Sequence, residues 1–288
     1  MRRRDFLKFA GISAMGAVAG AALPDPVLAA AVRNRFWGSR PDRYPNDRHV
    51  RDYFYKMRHF DRRFSSDVFV EPRMMGTLRS VTRRLRRLQA LAGHANYGLL
   101  SFDQGLRLAR NYPRVGRFTR REIDFLEEIF YADASRYGFL GEKPISSLTH
   151  RVKRRDVKKI HGAGGFLYRG APRDTYNKIM REAGVPAVMT SGIRNVMKQT
   201  LLFLNKASRN GGNLSLASRS LAPPGHSFHG TGDFDVGQVG LGAANFTEKF
   251  AKTIVFKRLR ELGYLKLRYP RDNLSGVRFE PWHIKVKI

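Results

Sequence analysis

Three short stretches in the second half of this 288-residue chain concentrate side chains able to hold a cation and move a proton. They are Ser191-Gly192-Ile193-Arg194 with Gln199, the run Ser227-Phe228-His229-Gly230-Thr231-Gly232-Asp233-Phe234-Asp235, and Glu280-Pro281-Trp282-His283. A catalytic zinc takes three protein ligands and keeps a fourth position for water. Two histidines and one carboxylate drawn from separate segments meet that count. Asp233 and Asp235 share one face of an extended strand while Phe234 points to the other. Glycines at 230 and 232 let the backbone fold closely enough for His229 and an aspartate to converge on one ion. From His283 onward the chain alternates, with Lys285 and Lys287 on the histidine's side and Ile284, Val286 and Ile288 opposite. Glu280 is the natural base, because a carboxylate beside an activated water can take its proton and pass it to a leaving amine. An ideal strand would separate Glu280 from His283, so Pro281 is read as a bend that turns both into one cleft, with Trp282 as its wall.

The chain has no cysteine, which excludes disulfides, thiolate metal sites and a cysteine nucleophile. The ordered set of motifs resembles the VanY-type D-Ala-D-Ala carboxypeptidase family of metallopeptidases. That family's signatures are S-G-[YF]-R-S-x(3)-Q, then S-x-H-x(2)-G-x-A-x-D, then E-P-W-H, and the resemblance covers about residues 165–288. It implies Zn2+ held by His229, Asp235 and His283, with Glu280 as the base. It also implies that Arg194 receives the substrate's terminal carboxylate, with Gln199 and Ser227 among the substrate-binding residues. A guanidinium suits that task because it pairs with a carboxylate through two parallel hydrogen bonds. The implied reaction is removal of the terminal D-Ala from a peptidoglycan stem peptide.

This chain departs from the pattern in two places. His229 and Asp235 are six apart where the family has seven. His226 and Asp233 are seven apart, but they lack the serine two before and the glycine three after, so Asp235 is preferred and Asp233 is the alternative ligand. Ile193 and Asn195 stand where the family has an aromatic residue and serine. Two further readings use the same residues: an endopeptidase on the same zinc site, and a non-catalytic cell-wall-binding protein.

The elements that must position these residues read as α+β. A small antiparallel sheet flanked by helices forms the peptidase part, preceded by a mainly helical region. Helical spacing covers 174–183 with Gly184 as its stop, 195–206, and 246–262 with Gly263 as its stop. Strands are expected at 185–190, 264–269, 277–280 and 283–288, and 207–225 reads as a long surface loop rich in Ser, Asn, Gly and Pro. Upstream, Val81, Leu85, Leu88 and Leu91 make one apolar helical stripe amid arginines. Thr119 and Glu122 have capping-box spacing. Residues 32–70 read as an irregular approach segment, and the basic run 151–160 as solvated surface.

The first 31 residues account for location. Arg3-Arg4-Asp5-Phe6-Leu7-Lys8, a mild apolar run from Phe9 to Ala22 and the small residues Ala29 to Ala31 make a twin-arginine export signal, with cleavage expected after Ala31. The domain organisation is therefore a signal at 1–31, a mainly helical region of unassigned role at 32–164 and a catalytic domain at 165–288. Export implies a periplasmic or extracytoplasmic protein. The net charge of +30 then speaks for contact with anionic cell-wall or membrane surfaces, and no nucleic acid partner is expected.

Overall fold

Apolar residues at helical spacing build the first half of the molecule, and short paired strands build the second. A computed structural model describes residues 47–286, which fall within one compact unit. The export signal and the ends of the chain lie outside the described residues. No helix among the described residues is long and apolar enough to cross a membrane.

Helix α1 (Asp47–Arg58) lies within the stretch expected to be irregular. Helix α2 (Met75–Ala92) buries Val81, Leu85 and Leu88 of the stripe legible in the sequence, together with Leu78, leaves Leu91 half-buried and keeps its arginines on the remaining faces. The short α3 (His94–Tyr97) follows Gly93, and α4 (Phe102–Asn111) starts on a capping box of Ser101 and Gln104. Helix α5 (Arg120–Tyr131) starts on the expected box, Thr119 with Glu122. A hairpin of β1 (Val157–Ile160) and β2 (Gly165–Tyr168) follows. Its first strand runs through the basic segment, exposing Lys158 and Lys159 and burying Val157 and Ile160, so that segment is surface on one side only.

After α6 (Ala171–Glu182) come β3 (Ala187–Ser191) and α7 (Val196–Arg209). The stretch expected to be a long surface loop contains the buried helix α8 (Leu214–Ser218), capped by Asn213. Its Ser and Asn residues are helix caps and buried hydrogen-bond partners, which composition does not distinguish from loop. Strand β4 (Phe234–Gln238) pairs antiparallel with β3 on one side and with the two-residue β5 (His283–Ile284) on the other. The expected helix over 246–262 is reduced to α9 (Ile254–Glu261), because Thr247 and Thr253 each cap a new turn and break the run. Of the expected strand at 264–269 only a bridge, Leu267 with Ile284, is paired.

Two cores result. One joins α2, α4, α5, α7 and α8, so residues such as Leu85, Phe125 and Phe130 share it with Val196, Phe203 and Leu204. The other covers the three-stranded sheet with α6 and α9 through Ile179, Phe234, Val236, Val255, Leu259 and Trp282. The loop 192–195 runs between them.

Candidate metal centre and active site

Strand register brings the site together. Ser191 lies opposite Asp235 and Asp235 opposite His283, so the three stand abreast across β3, β4 and β5. An irregularity between Met189 and Ser191 shifts the register there, and such bulges re-aim side chains. His229 arrives from the turn before β4, where Gly232 has a φ of 141° that a side chain would resist.

His229, Asp235 and His283 each offer one ligand atom, and these atoms lie within 4.8 Å of one another. All three are buried, at 1%, 0% and 2% exposure. His229 Nδ1 lies 2.8 Å from the Gly192 carbonyl, so Nδ1–H donates there and Nε2 keeps its lone pair for the cluster. That lone pair sits 3.1 Å from Asp235 Oδ1. Burial and then the Arg194 charge depress the His229 pKa, which keeps the ring neutral. Two acceptors so close, with no proton between them, require a positive charge. Arg194 Nη2 supplies one here, donating to Asp235 Oδ2 at 2.7 Å and contacting His229 Nε2. Burial opposes a charged Asp235, but the positive charge beside it, with the Arg194 guanidinium bonded to Oδ2, holds its pKa down to about 2. A neutral imidazole and an ionised carboxylate already turned toward a cation fit a metal's donor set.

His283 is oriented from behind. Its Nε2 lies 3.0 Å from Asp233 Oδ2, which leaves Nδ1 facing Asp235 Oδ1 at 3.6 Å and Glu280 Oε2 at 3.4 Å. Asp233 is itself fixed by Arg268, at 2.8 and 3.2 Å, and by the Val286 amide at 2.9 Å. The two aspartates thus divide the work. Asp235 faces the cluster, and Asp233 orients His283, an arrangement that carboxylates behind metal-bound histidines also adopt. Burial works against charge on His283, but Asp233, Glu280 and Asp235 prevail and raise its pKa to about 9.

Glu280 reaches the same cleft because residues 281 and 282 form a turn and not a strand, the bend expected at Pro281. The Trp282 side chain is buried in the sheet core. Ser227 is buried at the start of the His229 turn, where its carbonyl accepts from the Gly230 amide. Gln199 is buried away from the cluster's hydrogen bonds, with its Nε2 donating to the Ala222 carbonyl. Arg194 borders the cluster directly.

Residues outside the candidate ligand set also position it. Gly192 has no room for a side chain, since a Cβ there would stand 2.2 Å from the Phe166 carbonyl of β2. Asn195 is fully buried and ties the loop to the N-terminal half. Its Oδ1 lies 3.0 Å from His150 Nδ1, and its Nδ2 donates to the Leu99 and His150 carbonyls. The Tyr168 hydroxyl donates to the Gly230 carbonyl at 2.8 Å. No spacing in the sequence marks Arg268 or His150, which reach the site only through the fold.

Residues 174–286 match the model of the VanY family, described as D-alanyl-D-alanine carboxypeptidase. Among solved structures, VanYB in complex with D-alanine-D-alanine is 22% identical over 52% of this chain and 85% of its own, with a TM-score of 0.40. The LdcB LD-carboxypeptidase, a structure concerned with peptidoglycan recognition, is 19% identical with a TM-score of 0.36, over 51% of this chain and 66% of its own. None of the curated proteins compared matches the chain.

Proposed function

We propose that the protein is a zinc-dependent D-alanyl-D-alanine carboxypeptidase that trims the terminal D-Ala from peptidoglycan stem peptides. The reading places the chemistry in residues 165–288 and the protein outside the cytoplasmic membrane, exported by the twin-arginine signal at 1–31. One observation carries it: His229, Asp235 and His283 converge, buried, with the Glu280 carboxylate 3.4 Å from one of them. His229, Asp235 and His283 would hold the ion. Zinc bound there supplies Lewis acidity, lowering the pKa of a water toward 7 and polarising a carbonyl. Glu280 takes the water's proton and delivers it to the departing amine. Arg194 holds the peptide's terminal carboxylate and so sets which bond lies over Glu280.

The test is incubation of the purified protein with a stem pentapeptide, followed by mass spectrometry. Loss of one D-Ala is expected, abolished by a chelator and restored by zinc. Glu280→Gln should lower the rate by roughly 10²–10⁴-fold while leaving bound zinc unchanged. Cleavage at an internal bond, or full activity in the variant, contradicts the assignment.

A further inference from the structure

Arg194 also borders a second concavity, lined by His94, Gly98, Gly164, Thr190, Gly192 and Lys198. His94 and Gly98 come from the helical region that precedes the family match at 174–286. Lys198 lies in the first turn of α7, four residues after Arg194, and is only 7% exposed. Its Nζ donates to Gln89 Oε1 at 2.6 Å, lies 3.4 Å from His94 Nδ1 and is 6.0 Å from the centre of the Tyr97 ring. Each of these partners is uncharged or cationic. Burial and then the Arg194 charge lower the Lys198 pKa to about 8. A buried ammonium with no carboxylate beside it among the described residues is costly, and it calls for an anion from outside. Two further donors in the wall, Thr190 Oγ1 and Arg194 Nε, are buried without a hydrogen-bond partner among the described residues.

We propose that Lys198 is a specificity-determining residue, forming with Arg194 a two-cation subsite for the carboxylate end of the peptide, walled by His94 and Gly98. The proposal rests on the peptidase reading above and deepens it. It gives the helical region a task, since His94 of α3 and Gly98 line the concavity that would receive the peptide's end.

The experiment compares wild type, Lys198→Met and Gln89→Glu on a stem pentapeptide with a free C-terminal carboxylate and on its C-terminal amide. Lys198→Met keeps the side chain's volume and removes the charge. Its KM for the acid should rise about 10–100-fold, the worth of one charge-assisted hydrogen bond, with kcat within about twofold and the amide unaffected. Gln89→Glu sets a carboxylate against Lys198 and should raise KM for the acid in the same way while leaving the melting temperature unchanged or higher. Should Lys198→Met not fold, Gln89→Glu decides alone. Equal shifts for acid and amide, or no shift, overturn the proposal. Calorimetric titration with N-acetyl-D-alanine and its amide reads the subsite without turnover. A wild type that hydrolyses nothing yet prefers the acid, with the preference lost in both variants, removes the peptidase reading and keeps the subsite. No preference for the acid removes the subsite.

Discussion

His283 is gripped from both sides, and the two aspartates that do it have different tasks. Asp233 holds Nε2 at 3.0 Å, and Asp235 faces Nδ1 at 3.6 Å. Only one of the ring's nitrogens can then serve a cation, and it is the one that looks into the cleft. Asp233→Asn should therefore leave the ligand set intact but lower zinc affinity by roughly 10–100-fold, because the ring loses its orienting carboxylate. Competition with a chromophoric zinc chelator measures this; unchanged affinity would mean that Asp233 acts only through Arg268 and the Val286 amide. Sequence alone raised both aspartates and favoured Asp235. The reason for Asp233 was out of reach, because its partners Arg268 and Val286 are brought to it by the fold and no motif contains them.

At the scale of elements, the site is a row of residues across three strands joined to a loop that cannot tolerate bulk. Ser191, Asp235 and His283 stand abreast, and Gly192 threads past the Phe166 carbonyl of β2 while its own carbonyl orients His229. Gly192→Ala puts a Cβ about 2.2 Å from that oxygen, so the loop must shift. We expect a loss of about 1–3 kcal/mol in stability from such overpacking, and a larger fractional loss of activity than of folded protein. Denaturant unfolding and turnover measured on the same sample test this, and a fully active, equally stable variant refutes it. Elements with a strong period were legible in the sequence: α2 from its leucines, α5 from its capping box, β3 from its apolar run. Those missed lacked a local signal. The buried α8 is made of small polar residues, and the hairpin of β1 and β2 hides its buried Val157 and Ile160 among lysines, whereas β5 is the two-residue part of the strand expected at 283–288.

Across the whole molecule, chemistry and folding divide the chain differently. The cluster's residues all come from the C-terminal half, but the core that supports α7 is shared with α2, α4 and α5. Asn195, at the N-cap of α7, is bonded to the backbone at 99 and 150. A fragment of residues 165–288 would expose the faces of α7 that bury Phe203 and Leu204. It should show no cooperative thermal transition, whereas the chain from residue 32 should unfold in one. A cooperative transition in the short fragment would show that the helical half is a separable addition. The family match begins at residue 174, so this dependence is invisible to motif reading and appears only in the packing.

The central claim, that His229, Asp235 and His283 are the ligands of one catalytic ion, is tested most directly by anomalous diffraction at the zinc edge from crystals grown with the metal. A single peak is expected about 2.0–2.2 Å from one atom of each of the three residues, with Glu280 beside it and Asp233 behind His283. A peak bound by Asp233 in place of Asp235, or no peak among these side chains, would contradict it.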